Sequence, residues 1–320
     1  MSVVHSPQGA SADPAAAAPA WWRRSGSGLG LPLVLLAIIV IGGLTTPGFL
    51  TADNARAILI NASVVGIAAV GMTPVTLSGN FISLGVQQTA VLAAVVFLAL
   101  LVTVTGLLAI GVVQGLVVAA GLNPVITTLA AGAVIFGVVT AATGGQVVTA
   151  PGVDLAWVGN ATLLGLPVAV YAFVLFTALI TWMMTRTIVG RRVLLLGANR
   201  ATARLSGVPV RATTVAAFIA LSLGAALAGV ITAAQLGQAT SSDLSDLTIN
   251  VVVAVLVGGT AIAGGEGSAL RSAVGAVIIA MANNLMLLQN LPTGGRLALT
   301  GVLAAAVVTV LQLLRSRGVR

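Results

Sequence analysis

Long apolar stretches constrain this 320-residue chain more than any other feature of its sequence. Hydrophobic residues make up 58% of the chain and charged residues only 6%, and the mean hydropathy is +1.15. Soluble domains carry about 25% charged residues, and a water-soluble core of this size cannot enclose so many apolar side chains. The chain is therefore predicted to be an integral membrane protein.

A helix needs roughly 20 apolar residues to cross the hydrocarbon core of a bilayer. The sequence predicts an all-α, polytopic membrane protein with about ten transmembrane helices and with both termini in the cytoplasm. The predicted spans are 30–46, 57–78, 88–104, 106–121, 125–142, 166–185, 212–236, 248–263, 269–290 and 297–314. At 88–121 and at 248–263, one long helix with a re-entrant piece is an alternative.

The arginines indicate which side of the membrane each loop occupies, because cytoplasmic loops are enriched in basic residues. With the amino terminus inside and ten crossings, twelve of the fourteen arginines lie inside, and only Arg56 and Arg296 lie outside. Six of the twelve fall within 186–211, which requires an even number of spans before that loop. We expect a disordered cytoplasmic tail at 1–28 and a single transmembrane domain at 29–320.

Several classes of chemistry are excluded by the composition. The chain has no lysine, so it lacks the P-loop signature GxxxxGK[ST]. It has no cysteine, and its one histidine, His5, lies in the predicted tail, so neither a metal site nor thiolate catalysis is expected. No carboxylate pair suggests acid–base catalysis, and no cofactor is implied. The +8 net charge follows from membrane topology, since the arginines lack the interleaved aromatic residues typical of nucleic-acid binding.

No acidic residue lies in the middle of a predicted span, which argues against an ion-driven carrier. Backbone carbonyls at broken helices also bind sodium, so this alternative stays open. The segment 143–165 is predicted to lie outside, either as a gate or docking surface or as a passive loop.

Two glycine-rich, polar interruptions are candidates to line a pathway, at 77–85 and 257–268. Irregular backbone at membrane depth is stable only where protein or a wet cavity satisfies its polar groups. The alternative is close helix packing without solute contact. The candidate pathway residues of the first interruption are Ser78, Gly79, Asn80, Phe81 and Ser83.

Asn250, Asn283 and Asn284 place amides in otherwise aliphatic spans. A buried amide without a partner is costly, so these side chains are predicted to face the protein interior. Hydrogen bonding between helices is favoured over solute contact. Because solute contact stays open, the three residues are also candidate pathway residues.

Within the arginine-rich loop, residues 199–207 read NRATARLSG and predict a short helix. Asn199 is a good N-cap, and Gly207, followed by Pro209, ends the helix. Arg200 and Arg204 are four residues apart and share one face. Such a helix suits docking into a partner's cleft, and the alternative is a basic anchor on anionic membrane lipid.

Three ordered motifs resemble those of a known family. They are GRRVLLLGANRATARLSGVPV, VLVGGTAIAGGEGS and GAVIIAMANNLMLL. Their order and spacing are similar to the permease subunits of bacterial ABC importers of the ribose and simple-sugar class, which are related to branched-chain amino-acid permeases. The resemblance covers most of the chain from about Ile58 and is strongest over 186–290.

This resemblance implies a multi-pass permease of the cell membrane that works with a cytoplasmic ABC ATPase, a second permease copy or paralogue, and an extracytoplasmic solute-binding protein. ATP hydrolysis would then belong to the separate ATPase chain. It also implies that 199–207 is the coupling helix, and that 78–85 lies close to the translocation path. The implied coupling residues are Asn199, Arg200, Ala203, Arg204, Ser206 and Gly207. The expected function is import of a monosaccharide or similar small polar solute; the alternatives are an ion-coupled transporter, a permease for a non-sugar solute and a membrane scaffold or exporter subunit.

Overall fold

The computed structural model describes residues 30–100, 105–150, 159–292, 294–302 and 305. The helices are α1 (Gly30–Thr45), α2 (Ala52–Leu77), α3 (Val86–Leu100), α4 (Thr105–Ala119), α5 (Pro124–Thr143), α6 (Val168–Arg186), α7 (Ile188–Ala198), α8 (Arg200–Leu205), α9 (Val210–Leu236), α10 (Leu247–Val257) and α11 (Ala269–Leu288). Residues 294–302 are also helical. The strands are β1 (Val148–Thr149), β2 (Thr162–Leu163), β3 (Leu166–Pro167) and β4 (Gln238–Ala239). The all-α prediction is confirmed, and the predicted tail at 1–28 lies outside the described residues.

Five of these helices are long and apolar enough to cross a membrane: α2, α5, α6, α9 and α11. Shorter apolar helices are α1, α3, α4 and α10. Each of the first nine predicted spans coincides at least partly with one of these helices, and the tenth begins within the helical residues 294–302. The protein is therefore a polytopic membrane protein.

Helices α2 and α9 form the centre of the fold. Helix α9 packs against α2, α3 and α4, and α2 also packs against α11. Their close approach depends on small residues, since a Cβ atom built on Gly71 would lie 2.8 Å from the carbonyl oxygen of Ala220 and 3.1 Å from the Cα of Gly224. Around this contact, Met72 and Phe218 are fully buried in the main core cluster.

Helices α3 and α4 are separate helices in the described residues, and the join at 101–104 lies outside them. Val86 at the start of α3 and Val118 near the end of α4 belong to the same core cluster. Both helices therefore contribute to the same core. The number of crossings at 88–121 stays a prediction.

The predicted span at 248–263 is wrong in its second half, because α10 ends at Val257. Residues 258–263 are irregular instead, with turns at 258–259 and 262–263. Gly259 has a φ of +77°, a backbone conformation that side-chain-bearing residues avoid, and this ends the helix. The short helix is thus joined to α11 by an irregular segment.

The ends of several helices meet at one end of the molecule. Strand β1 pairs with β4, with Val148 opposite Ala239, so the ends of α5 and α9 are neighbours. Arg56 near the start of α2 donates a 2.7 Å hydrogen bond to the Asn160 carbonyl, and the Asn160 amide donates one of 3.1 Å to the Gln235 carbonyl. Arg56 therefore lies at the same end of the molecule as the described parts of 143–165, and the external position of that end stays a prediction. Residues 151–158 of that segment are not among those described.

Candidate functional site

The short helix predicted in the arginine-rich loop is confirmed as α8. The Asn199 side chain accepts hydrogen bonds from the backbone amides of Ala201 and Thr202, both at 3.0 Å. These bonds satisfy amides that have no partner within the helix. Beyond the helix, Gly207 adopts a φ of +75°. The predicted N-cap at Asn199 and the predicted glycine stop at Gly207 are therefore both present.

One side of α8 is exposed and basic. Arg200, Arg204 and Ser206 are exposed, and Leu205 is 90% exposed. Ala203 faces the other way: it is 3% exposed and packs with Leu196 and Val210. Ala203 therefore packs α8 against the rest of the protein and is not on the surface that a partner would contact. The outward surface consists of two guanidinium groups around an apolar side chain.

Three glycine-containing segments meet at the end of α7, just before α8, in a contact that we call the glycine junction. It comprises Leu77, Gly79, Gly197, Gly264 and Gly265. The Gly265 amide donates a 2.9 Å hydrogen bond to the Leu77 carbonyl. A Cβ atom on Gly197 would overlap the Leu77 carbonyl oxygen and lie 2.6 Å from the Gly265 nitrogen. A Cβ atom on Gly264 would lie 2.7 Å from the Cα of Gly79.

The glycine junction brings together the two glycine-rich interruptions that the sequence placed far apart. It connects the end of α2, the end of α7 and the segment between α10 and α11 by backbone contact. Gly264 and Gly265 lie in close backbone packing, which was the alternative to a pathway role for the second interruption. The pathway role of Gly79 stays a prediction. Helix α7, which leads directly into α8, is thus in backbone contact with both segments.

The rest of the first interruption runs as irregular chain into the start of α3. Asn80 and Ser83 are each 1% exposed, whereas Phe81 is 52% exposed and has a φ of +57°. The Asn80 amide nitrogen donates to the Ser78 hydroxyl at 2.8 Å, but its Oδ1 atom and the Ser83 hydroxyl have no hydrogen-bond partner among the described residues. Buried polar atoms of this kind are available to water or to a polar solute.

Side chains of two other helices hold this irregular chain in place. The Leu84 amide donates to the Thr128 hydroxyl of α5 at 3.1 Å, and the Gln87 amide donates to the Thr248 hydroxyl of α10 at 3.1 Å. These bonds satisfy backbone groups that precede or begin α3. The start of α3 thus lies beside the start of α10.

The three membrane asparagines face other helices, and that prediction is confirmed. Asn283 donates to Asn250 at 3.0 Å, and Asn284 donates to Asn54 at 2.8 Å. Adjacent residues of a helix point about 100° apart, so the two amides reach different partners. The predicted pathway residues therefore form two groups, 78–83 and Asn250 with Asn283, while Asn284 lies apart from both.

Asn250 and Asn283 line a cavity of about 80 Å³ that we call the polar chamber. Its lining also includes residues that sequence reasoning missed as site residues: Asn61, Asp246, Arg296, Leu297 and Thr300. The Thr300 hydroxyl lies 3.3 Å from Oδ1 of Asn283. One signal pointed to this place, since Arg296 is one of two arginines outside the predicted cytoplasmic set. No cluster of metal-ligating side chains occurs in the part of the chain that the structure describes.

Residues 54–311 match the family described as the branched-chain amino acid transport system permease component. The chain belongs to this permease family. The ribose import permease protein of Escherichia coli strain K12 is 33% identical over 267 residues, which cover 79% of this chain and 83% of that protein. The ribose import permease protein of Haemophilus influenzae is 31% identical, covering 81% and 85% of the two chains.

The D-allose transport system permease protein of Escherichia coli K12 is 30% identical, over 91% of this permease and 92% of the relative. No solved structure matches the permease. The relatives are transport proteins, and their coverage includes nearly the whole described fold. The chain is thus the permease component of an ABC importer and a multi-pass protein of the inner membrane.

Proposed function

We propose that this permease imports a monosaccharide or a similar small polar solute by alternating access. The observation that carries the proposal is the connection of the exposed basic helix α8, through the glycine junction, to the ends of α2 and α10. The relatives named for ribose and D-allose support the solute class. The proposal includes ten crossings with both termini cytoplasmic, a tail at 1–28 and one permease domain at 29–320.

In this proposal α8 is the contact with a cytoplasmic ABC ATPase, which hydrolyses ATP on a separate chain. The absence of lysine from the sequence supports this division, since the P-loop requires one. Arg200, Arg204 and Leu205 supply a charged surface with an apolar centre. Asn199 and Gly207 fix the two ends of the helix, and Ala203 anchors it.

The proposed pathway combines the irregular segment 78–83 with Asn250, Asn283 and Asn284. An extracytoplasmic solute-binding protein would deliver the solute at the end where β1 and β4 lie. A second permease copy or paralogue and membrane lipid would cover the apolar side chains that α5 leaves exposed. These are Ile126, Leu129, Val134, Phe136 and Val138.

The test is uptake of radiolabelled D-ribose and D-allose by proteoliposomes that contain the permease with its ATPase and binding protein. We expect accumulation that requires internal ATP and persists when a protonophore and a sodium ionophore dissipate ion gradients. Accumulation that needs no ATP and stops with the ionophores would favour the ion-coupled alternative. Absence of sugar uptake, with ATP-dependent uptake of another solute, would contradict the solute class alone.

A further inference from the structure

The polar chamber has the composition of a binding site rather than of a packing defect. Its walls come from four separate parts of the chain: α2, the start of α10, α11 and the helical residues 294–302. Asp246, Asn250, Asn283 and Arg296 are half-buried, whereas Asn61 is exposed at the edge. A cavity of about 80 Å³ with polar walls is wide enough for a few water molecules or for one polar edge of a small solute.

We propose that the polar chamber binds the hydroxyl edge of a neutral polyhydroxylated solute. Every hydroxyl of such a solute is both a donor and an acceptor of hydrogen bonds. The chamber suits this need, since its lining holds one carboxylate, one guanidinium and three amides. Part of this capacity is used within the protein, because the Asn283 amide donates to Asn250 and accepts from Thr300. One negative and one positive side chain leave no net charge, so a charged solute gains no advantage.

The start of α10 forms part of the chamber wall through Asp246 and Asn250. Asp246 precedes the helix, but its side chain makes no capping hydrogen bond, so its carboxylate is not used by the first turn of α10. The first backbone amides of a helix have no partner within it, and they carry partial positive charge. Solute hydroxyl oxygens in the chamber would lie near that end of α10.

The chamber also lies at the end of the molecule where solute would arrive. Asn61 follows Arg56 on α2 by about one and a half turns, and Arg56 is bonded to the segment beside β1 and β4. Arg296 itself is one of the two arginines on the predicted external side. The position of this site on the import route rests on the proposed function.

The chain has no cysteine, so a single introduced cysteine reports on one position. Asn61→Cys places a thiol at the exposed edge of the chamber. Asp53→Cys, on an exposed turn earlier in α2, is the matched control. Both are labelled from outside with a membrane-impermeant maleimide in the complete transporter, with and without D-ribose, D-allose or L-leucine.

We expect a transported sugar to slow labelling of Asn61→Cys about five-fold or more while leaving Asp53→Cys unchanged. Asp246→Asn in the Asn61→Cys background should still be labelled but should lose most of that protection. The proposal is overturned if a transported sugar gives no protection, if it protects both cysteines equally, if only L-leucine protects, or if Asn61→Cys cannot be labelled from outside. If the unaltered transporter takes up no sugar at all, that result would contradict the proposed function instead.

Discussion

Gly265 and Leu77 are joined by a 2.9 Å backbone hydrogen bond, although 188 positions separate them in sequence. This bond joins the segment after α10 to the end of α2, next to Gly197 at the end of α7. Backbone contacts of this kind leave no side chain to absorb a displacement. The junction therefore joins the basic loop by backbone contact to two helices that border the proposed pathway.

Gly197→Ala tests this connection. The added methyl group would overlap the Leu77 carbonyl, and backbone cannot rotate away as a side chain can. We expect destabilisation of about 1–3 kcal/mol, as for other overpacked sites, and strongly reduced uptake. Gly137→Ala on α5 is the control, because no atom of the described residues lies within 4 Å of its added methyl group. Thermal unfolding in detergent and uptake assays measure both variants, and equal behaviour would show that the junction tolerates movement.

The combination of Arg200→Glu with Gly207→Leu should abolish uptake while leaving membrane insertion intact. The first change reverses a charge on the exposed face of α8, and the second places a side chain at a φ of +75°, which costs about 1–2 kcal/mol. Arg191→Glu is the matched control, since Arg191 is exposed in the same loop but on α7. Uptake that survives in the double variant would contradict the coupling role of α8.

Asn199→Ala should weaken the association with the ATPase without loss of any basic residue. The two capping hydrogen bonds would disappear, at a cost of about 1 kcal/mol to α8. Asn199→Ser restores an oxygen at the cap and should recover most of the affinity. Hydrogen exchange at Ala201 and Thr202, together with ATPase co-purification, measures the effect. Unchanged exchange in the alanine variant would show that the cap does not hold the helix.

The sequence allowed α8 to be predicted because its signals are local: a cap, a helix-favouring interior and a glycine stop within nine residues. The glycine junction depends on pairing between distant segments, which composition does not reveal. Apolarity extended the eighth span to residue 263, since hydropathy registers Ala261 and Ile262 but not the turn at Gly259. The membrane asparagines were predictable as interior groups, whereas their partners and the chamber depend on how α2, α10 and α11 pack.

Asn80→Leu should change solute transport without loss of ATPase binding. The side chain is fully buried, and its Oδ1 atom has no hydrogen-bond partner in the described structure, so leucine removes an acceptor that the protein does not use. Leucine also removes the 2.8 Å bond from the Asn80 amide nitrogen to the Ser78 hydroxyl. Thr232→Val is the control, because among the described residues that hydroxyl donates to the Ala228 carbonyl of its own helix. Initial uptake rates at several solute concentrations distinguish the variants. Unaltered kinetics would place Asn80 outside the pathway.

The pairing of the membrane amides can be measured with a double-mutant cycle. Asn250 and Asn283 share a 3.0 Å hydrogen bond, so leucine at both positions should be less destabilising than the sum of the single changes, with a coupling energy of about 0.5–1.5 kcal/mol. Asn284 bonds to Asn54 instead, so the combination of Asn250→Leu with Asn284→Leu should be additive within about 0.5 kcal/mol. Unfolding titrations in mixed micelles give both energies. Equal coupling in the two cycles would mean that α11 presents its asparagines differently, with both amides facing α10.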